Sequence, residues 1–330
     1  FINMLFRCKN CGGNVIYSPE KGDMFCPHCD GIDSGEKEVS EEKDICVNCG
    51  APLEMKEYNS TCKCEYCESY IIIDERVRGE YEPELVLPFQ IGMEQAVEMM
   101  KKEFRKRIFT PGTFLKESTL KEMKGMYVPF WMYDYDADCT YIGNGTKVRV
   151  WTSGDTEYTE TSYFRVVRKM AIDFQKVPVD ASIEMPDDVM DLMEPFDYGV
   201  LKDFQEKYMS GFYGEIYNQN SEELEERAQQ KAKKDAECML QETLGGYTTL
   251  ASEKKDIRMN TRRARYALLP VWRYIYKYRD KEYPFYVNGQ TGKIVGSTPV
   301  EKKKVLSYGG TVFVLVWMIL YIVARIAEIA

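Results

Sequence analysis

A repeated cysteine register constrains this chain more than any other feature. The stretch "CKNCGGNVIYSPEKGDMFCPHC" runs from Cys8 to Cys29, and "CVNCGAPLEMKEYNSTCKCEYC" runs from Cys46 to Cys67. Each holds two Cys-x-x-Cys pairs separated by the same interval. Cys8, Cys11, Cys26 and Cys29 thus fall onto Cys46, Cys49, Cys64 and Cys67. A Cys-x-x-Cys turn delivers two thiolates from one tight loop, and a second pair on a facing hairpin closes a tetrahedron around zinc with no position left for substrate. Gly12 and Gly50, each directly after a pair, let the backbone turn beneath the metal. The eight cysteines are therefore predicted to form two structural Zn²⁺ sites. Units this small lack a core of their own, so the metal is expected to supply roughly 10–16 kcal/mol of folding free energy per site.

Nine of the eleven cysteines lie at or before Cys67, a density that in a secreted chain would suggest disulfides. The paired register, and the lack of a long apolar run before Cys8 that would serve as an export signal, point instead to metal in a reducing compartment. Cys62 aligns with Met24 of the first copy and is predicted to be a free thiol. His28, the single histidine, sits inside "CPHC", where four cysteines already suffice.

The chain carries a formal net charge of −9, and residues 1–78 hold nine Lys/Arg against fifteen Asp/Glu. Two zinc ions on eight thiolates would add negative charge. A phosphate-gripping surface needs clustered cations, so the ribbons are expected to contact protein rather than nucleic acid.

At the other end, "VLSYGGTVFVLVWMILYIVA" (305–324) carries no charged side chain from Val305 to Ala324. Its length is that of one helical bilayer crossing. "EKKK" (301–304) precedes it, which by the positive-inside rule keeps the preceding chain in the cytosol. Arg325, just beyond, can snorkel to the far headgroups. A bacterial single-pass membrane protein with a cytoplasmic N-terminal region is the expectation, with a second span possible should the chain continue.

Between these ends an α+β body is predicted. Met93, Val97, Met100, Phe104 and Ile108 recur at helical spacing, with Lys101, Lys102, Arg105, Lys106 and Arg107 on the other face. Residues 126–174 alternate with a period of two, and Gly143–Gly145 and Ser153–Asp155 read as turns of an antiparallel meander. A second strand group is expected at 267–296, with turns at Arg279-Asp280 and Asn288-Gly289. Pro129 and Pro270 read as strand entries, and Trp131 and Trp272 as core aromatics. Helices are expected at "PDDVMDLMEPF" and from Ser221, the latter with a stripe of Leu224, Ala228, Ala232, Ala236, Met239 and Leu240. Cys139 and Cys238 read as buried small side chains. The domain plan is ribbon 1 (1–35), an acidic linker (36–44), ribbon 2 (45–75), a linker (76–84), the body (85–304), the span (305–324) and a short tail (325–330).

No catalytic or cofactor-binding residue is expected. The one histidine belongs to a zinc knuckle, no GxGxxG or GxxxxGK[ST] is present, and "NGQTGK" (288–293) reads as a hairpin turn. A non-enzymatic protein with no small-molecule substrate follows.

Taken together, "CKNCGG…CPHC", "KVPVDAS" (176–182), "MEPFDYGVLKDFQEKYMSGFYGEIYN" (193–218), "LLPVWRYIY" (268–276), "YVNGQTGKIVG" (286–296) and the apolar C-terminus resemble the bacterial YdjG-like family of TFIIB-type zinc-ribbon membrane proteins. That resemblance implies a cytosol-facing, membrane-anchored component of envelope-stress systems, with a flotillin-like (SPFH) or PspA-like scaffold as partner. An adaptor that recruits such a scaffold to the membrane is the expected function. A membrane-tethered nucleic-acid-binding or transcription regulator is the alternative, and a carboxylate hydrolase the third.

Overall fold

A computed structural model describes residues 2–42, 44–115 and 122–329. Its centre is three long antiparallel strands: β8 (Lys124–Ser153), β9 (Thr156–Asp180) and β12 (Thr249–Tyr278). β12 pairs along one edge of β8. The other edge is shared. Met126 and Tyr127 pair in parallel with the short strand β11 (Tyr213–Glu215), and from Phe130 outward β9 takes over. Across β12, Ala267 and Leu268 pair in parallel with β7 (Leu85–Val86), and Val271–Tyr278 pair with β13 (Lys281–Asn288). β10 (Lys202–Asp203) flanks β7, and β14 (Ile294–Gly296) flanks β13.

The sheet is therefore mixed rather than the antiparallel meander expected. Its parallel pairs come from very short strands that enter beside the long ones after helical or looped excursions. Such strands are too short to show a period of two in sequence.

Alternation along β8 sorts the core onto two faces. Met126, Val128, Phe130 and Met132 pack with Ala267, Leu269 and Val271 and with Met190 and Met193 of α2 (Asp187–Met193). On the opposite face Tyr127, Phe89, Phe212 and Trp272 join Val97, Met100 and Phe104 of α1 (Met93–Arg105). The Phe89 and Phe212 rings stack 4.1 Å apart. Farther out, α3 (Ser221–Glu242) lays Leu224, Ala228 and Ala232 on Tyr133, Tyr135 and Val179, and Leu240 on Tyr141 and Val166. An Asn220–Glu223 capping box starts that helix. Alanines at every fourth position allow it to lie close along the ribbon.

Several expectations need correction. Gly143–Gly145 is not a turn, because β8 runs straight through it. A Cβ on Gly143 would lie 2.5 Å from the Ala251 carbonyl oxygen, and one on Gly145 would lie 2.7 Å from the Tyr247 ring. These glycines provide space, while the reversal comes at Gly154 (φ 62°). Pro129 and Pro270 lie inside strands rather than at their entries, and their carbonyls accept from Ala181 and Gly289 at 2.9 Å each. β12 begins at Thr249, well before its apolar part opens at Tyr266, because its first half is mostly exposed and charged, with only a few apolar side chains, Leu250, Met259 and Ala264 among them, partly covered beside α3. Ile108 lies past the end of α1 and is exposed. Met239 and Cys238 are exposed, whereas Cys139 is buried as expected. The turn at Arg279-Asp280 joins β12 to β13, with Arg279 left-handed at φ 51°.

Residues 36–40 of the acidic linker form a strand, β4 (Glu36–Ser40), paired antiparallel with β1 (Asn3–Arg7). The last element, α4 (Lys302–Ile329), contains the uncharged stretch. Among the described residues none of its apolar stretch is buried. Leu306, Phe313 and Trp317 are more than half exposed, unlike the apolar side chains of a helix buried in a core. α4 is long and apolar enough to cross a bilayer.

Candidate metal centres

Each quartet is assembled by two reverse-turn knuckles of one recurring design. In the first knuckle the Cys8 amide bonds to the Gly13 carbonyl at 2.8 Å, and Gly12 N bonds to Cys8 O at 2.9 Å. In the second, Cys26 N reaches Gly31 O at 2.9 Å. The second ribbon repeats this with Cys46 N to Ala51 O, Gly50 N to Cys46 O, Cys64 N to Ser69 O and Glu68 N to Cys64 O, all at 2.8–2.9 Å. The residue after the second cysteine is left-handed in all four knuckles: Gly12 (φ 75°), Asp30 (57°), Gly50 (71°) and Glu68 (58°). The glycines were legible in sequence as turn residues. Asp30 and Glu68 were not, although they occupy the same backbone position.

The four Sγ atoms of Cys8, Cys11, Cys26 and Cys29 lie within 4.8 Å of one another, as do those of Cys46, Cys49, Cys64 and Cys67. Cys8–Cys29 and Cys11–Cys26 are 3.7 and 3.5 Å apart; Cys46–Cys67 and Cys49–Cys64 are 3.6 and 3.7 Å. A tetrahedron of thiolates at a metal–sulfur distance of about 2.3 Å has S–S edges of about 3.8 Å. The separations fit one four-coordinate ion per quartet and exceed by far the ~2.05 Å of a disulfide. In both quartets the first and third cysteines are buried and the second is exposed. Each centre is thus embedded on one side and open to solvent at a knuckle tip.

Cys62 lies outside the second quartet. It is a buried residue of β5 (Asn59–Lys63), packed with Leu5, Leu53 and Ile71. His28 is also outside its quartet, exposed, with its ring over Gly13.

The centres are built into the body. β6 (Tyr70–Ile73) pairs with both β5 and β1, so strands of the two ribbons share one sheet. β5 then pairs with β11, extending that sheet into β8. Side chains reinforce the seam: Thr61 Oγ1 donates to Phe212 O at 2.8 Å and Ser210 Oγ to Val15 O at 2.6 Å. The first ribbon also has a hairpin, β2 (Ile16–Ser18) with β3 (Asp23–Phe25), whose Tyr17 amide bonds to Ser210 O at 2.8 Å. Met4, Phe6, Val15, Tyr17 and Met24 belong to the same core as Tyr127 and Trp272.

Four cations of the ribbons and the segment after them are engaged by carboxylates. Arg7 meets Glu38, Lys37 meets Asp74 and Glu206, Lys63 meets Glu68, and Arg78 meets Asp74 and Glu206. In the body, two buried acids, Asp180 and Glu215, and the partly buried Glu194 escaped sequence reasoning because each is isolated in the chain. Asp180 faces Arg227 at 3.0 Å, Glu194 faces Lys231, and Glu215 accepts from Ser182 at 2.9 Å. Burial raises the carboxyl of all three, that of Asp180 to about 6. The loop at 288–293 is the expected hairpin connection. The Asn288 carboxamide oxygen caps the Gln290 and Thr291 amides at 2.9 Å each, and Gly289 sits where a Cβ would lie 2.6 Å from the Phe89 ring.

No family model matches this sequence, and no solved structure is significantly similar to it. A relative in Bacillus subtilis (strain 168), "Uncharacterized protein YdjG", is 36% identical over 327 residues, covering 94% of this chain and 96% of its own length. At that identity and coverage the chain belongs to the YdjG family.

Proposed function

We propose that this protein is a membrane-anchored adaptor: α4 spans the bacterial cell membrane, the body lies on its cytosolic side, and the two ribbons, each folded on a structural Zn²⁺, dock a protein partner. No catalytic step is assigned. The observation that carries the reading is the continuity of the sheet from β8 through β11, β5 and β6 to β1. It makes the knuckle tips a surface held in fixed relation to the body. A pre-ordered surface loses little entropy on docking, and confinement beneath a membrane raises its effective concentration for a peripheral or oligomeric partner. Tyr66, 72% exposed, and Ile32, 69% exposed, offer apolar contacts beside the second and first centres respectively. A protein partner suits the ribbons better than nucleic acid, since residues 1–78 are net acidic and Arg7, Lys37, Lys63 and Arg78 already face carboxylates. An SPFH- or PspA-like scaffold in envelope stress is the partner class that family resemblance suggests.

The test is a mild-detergent pull-down from cross-linked membranes, comparing wild type with Cys46→Ser/Cys49→Ser and quantifying co-purified protein and nucleic acid. A discrete membrane-scaffold partner, lost with the variant, is expected. Nuclease-sensitive nucleic acid without a protein partner would refute the adaptor reading.

A further inference from the structure

The loop that follows α1 is tied to the foot of α4. Glu301 N donates to Phe109 O at 2.8 Å, and Lys304 Nζ donates to Thr110 O at 2.7 Å. The Phe109 and Tyr308 rings meet edge to face at 5.5 Å. Tyr308 lies in the first turn of the uncharged stretch, so in a spanning helix it sits at headgroup depth. Phe109 is held at that level, and beside it in the chain is Ile108, 54% exposed.

α1 enters this loop with its apolar face, Ala96, Val97, Met100 and Phe104, spent on the core. Its other face leads into residues 101–107, where five cations accompany one carboxylate, Glu103, which Lys106 holds at 2.9 Å. Lys102 and Arg105 are exposed and have no carboxylate partner among the described residues, and the same is true of Lys302 and Lys303 at the start of α4. Among the described residues the opposing acids are Glu94 and Glu98, one to two turns back along α1, and Glu301, which is 3.8 Å from Lys304. Complementing the α1 dipole accounts for cations in its last turn. It does not account for Lys302 and Lys303, which lie outside that helix; Arg107, also outside it, lies over the Phe104 ring at 4.6 Å and reaches the Gly296 carbonyl. In a chain of net charge −9 with acidic ribbons, positive charge is gathered where the body meets the span.

We infer that the α1 cationic face and the lysines opening α4 form one docking surface for anionic phospholipid headgroups, with Ile108 entering the interface, so that the body is held against the bilayer in a fixed orientation. This rests on the reading of α4 as a span. Each Lys or Arg near an anionic leaflet favours the docked state by about fivefold, so removing three shifts that equilibrium on the order of 100-fold.

The full chain is reconstituted into bilayer nanodiscs of phosphatidylcholine alone or mixed with phosphatidylglycerol, and hydrogen exchange is followed over residues 93–110. Flotation with vesicles of both compositions reports the anchor separately. The expected result is integration into both, with 93–110 protected only when phosphatidylglycerol is present. That protection should be lost in high salt and in Lys102→Gln/Arg105→Gln/Lys106→Gln, whose β8 and α3 exchange as in wild type. Equal exchange in the two lipids, with integration intact, overturns the docking surface and leaves the anchor standing. The same protection produced by inorganic phosphate in neutral discs also overturns it, in favour of general phosphate binding. Failure to float with either lipid overturns both readings.

Discussion

Thr61, one strand from the second metal centre, donates its hydroxyl to the carbonyl of Phe212 at 2.8 Å, and both residues are buried. Phe212 in turn stacks on Phe89 and touches Tyr127 in the body core. A ribbon that looks autonomous in sequence is therefore wired to the centre of the molecule. Loss of metal from the second ribbon should consequently loosen residues 59–63 and 212–216 as well as the knuckles. Hydrogen exchange on Cys46→Ser/Cys49→Ser should show both segments deprotected. Thr61→Val, which removes the donor to the Phe212 carbonyl, should cost about 1–2 kcal/mol by thermal unfolding.

The four left-handed residues after the knuckles separate backbone strain from chemistry. Glu68 adopts φ 58° and has only an exposed ion pair with Lys63. Glu68→Gly should be neutral or stabilising by up to about 1 kcal/mol, because glycine accepts this conformation freely. Gly50→Val, at φ 71°, should destabilise by about 1–2 kcal/mol and weaken metal retention in a chelator competition.

Burial raises the Asp180 carboxyl to about 6, against the pull of Arg227. An unfolded aspartate titrates near a pH of about 3.9. Between those values the folded state binds more protons, so this group's contribution to stability grows as pH falls through about 6 and is lost as pH rises through it. The full difference is on the order of 2–3 kcal/mol. Asp180→Asn resembles the protonated form and should lack this dependence. Thermal unfolding at about pH 7 and about pH 5 tests it: wild type should gain on the variant at the lower pH, while effects of thiolate protonation are common to both.

Gly143 is a position where sequence and structure disagree on the reason for a glycine. A turn would tolerate alanine or asparagine there. The close approach of the Ala251 carbonyl means that Gly143→Val should force the β8–β12 ladder apart, at a cost of about 1–3 kcal/mol. A cost near zero would return the residue to the class of turn glycines.

How much was legible depended on whether a signal was local. The grouping of eight cysteines into two quartets was, because the knuckle fixes the spacing of each pair. The apolar stretch of α4 was, because its uncharged run from Val305 to Ala324 matches a bilayer thickness. The core stripe of α3 was legible through its every-fourth alanines, but Met239 and Cys238 fell just off it. What joins the ribbons to the body was not legible: the β5–β11–β8 bridge is made by pairings too short to carry a pattern. The outer half of β12 was hidden because the apolar side chains it sets beside α3, such as Leu250, Met259 and Ala264, are too few among its charged residues to show a period of two. Asp180, Glu194 and Glu215 were hidden because burial is decided by elements far apart in sequence.

Two four-cysteine centres, proposed to hold zinc and folded into one sheet with the body, underlie these outcomes. Native mass spectrometry of the full chain released from detergent, paired with elemental zinc analysis, tests this directly. Two zinc ions per wild-type chain and one in Cys46→Ser/Cys49→Ser are predicted. A metal-free wild-type chain lighter by two protons per Cys–Cys bond would contradict it and make the quartets disulfide sites.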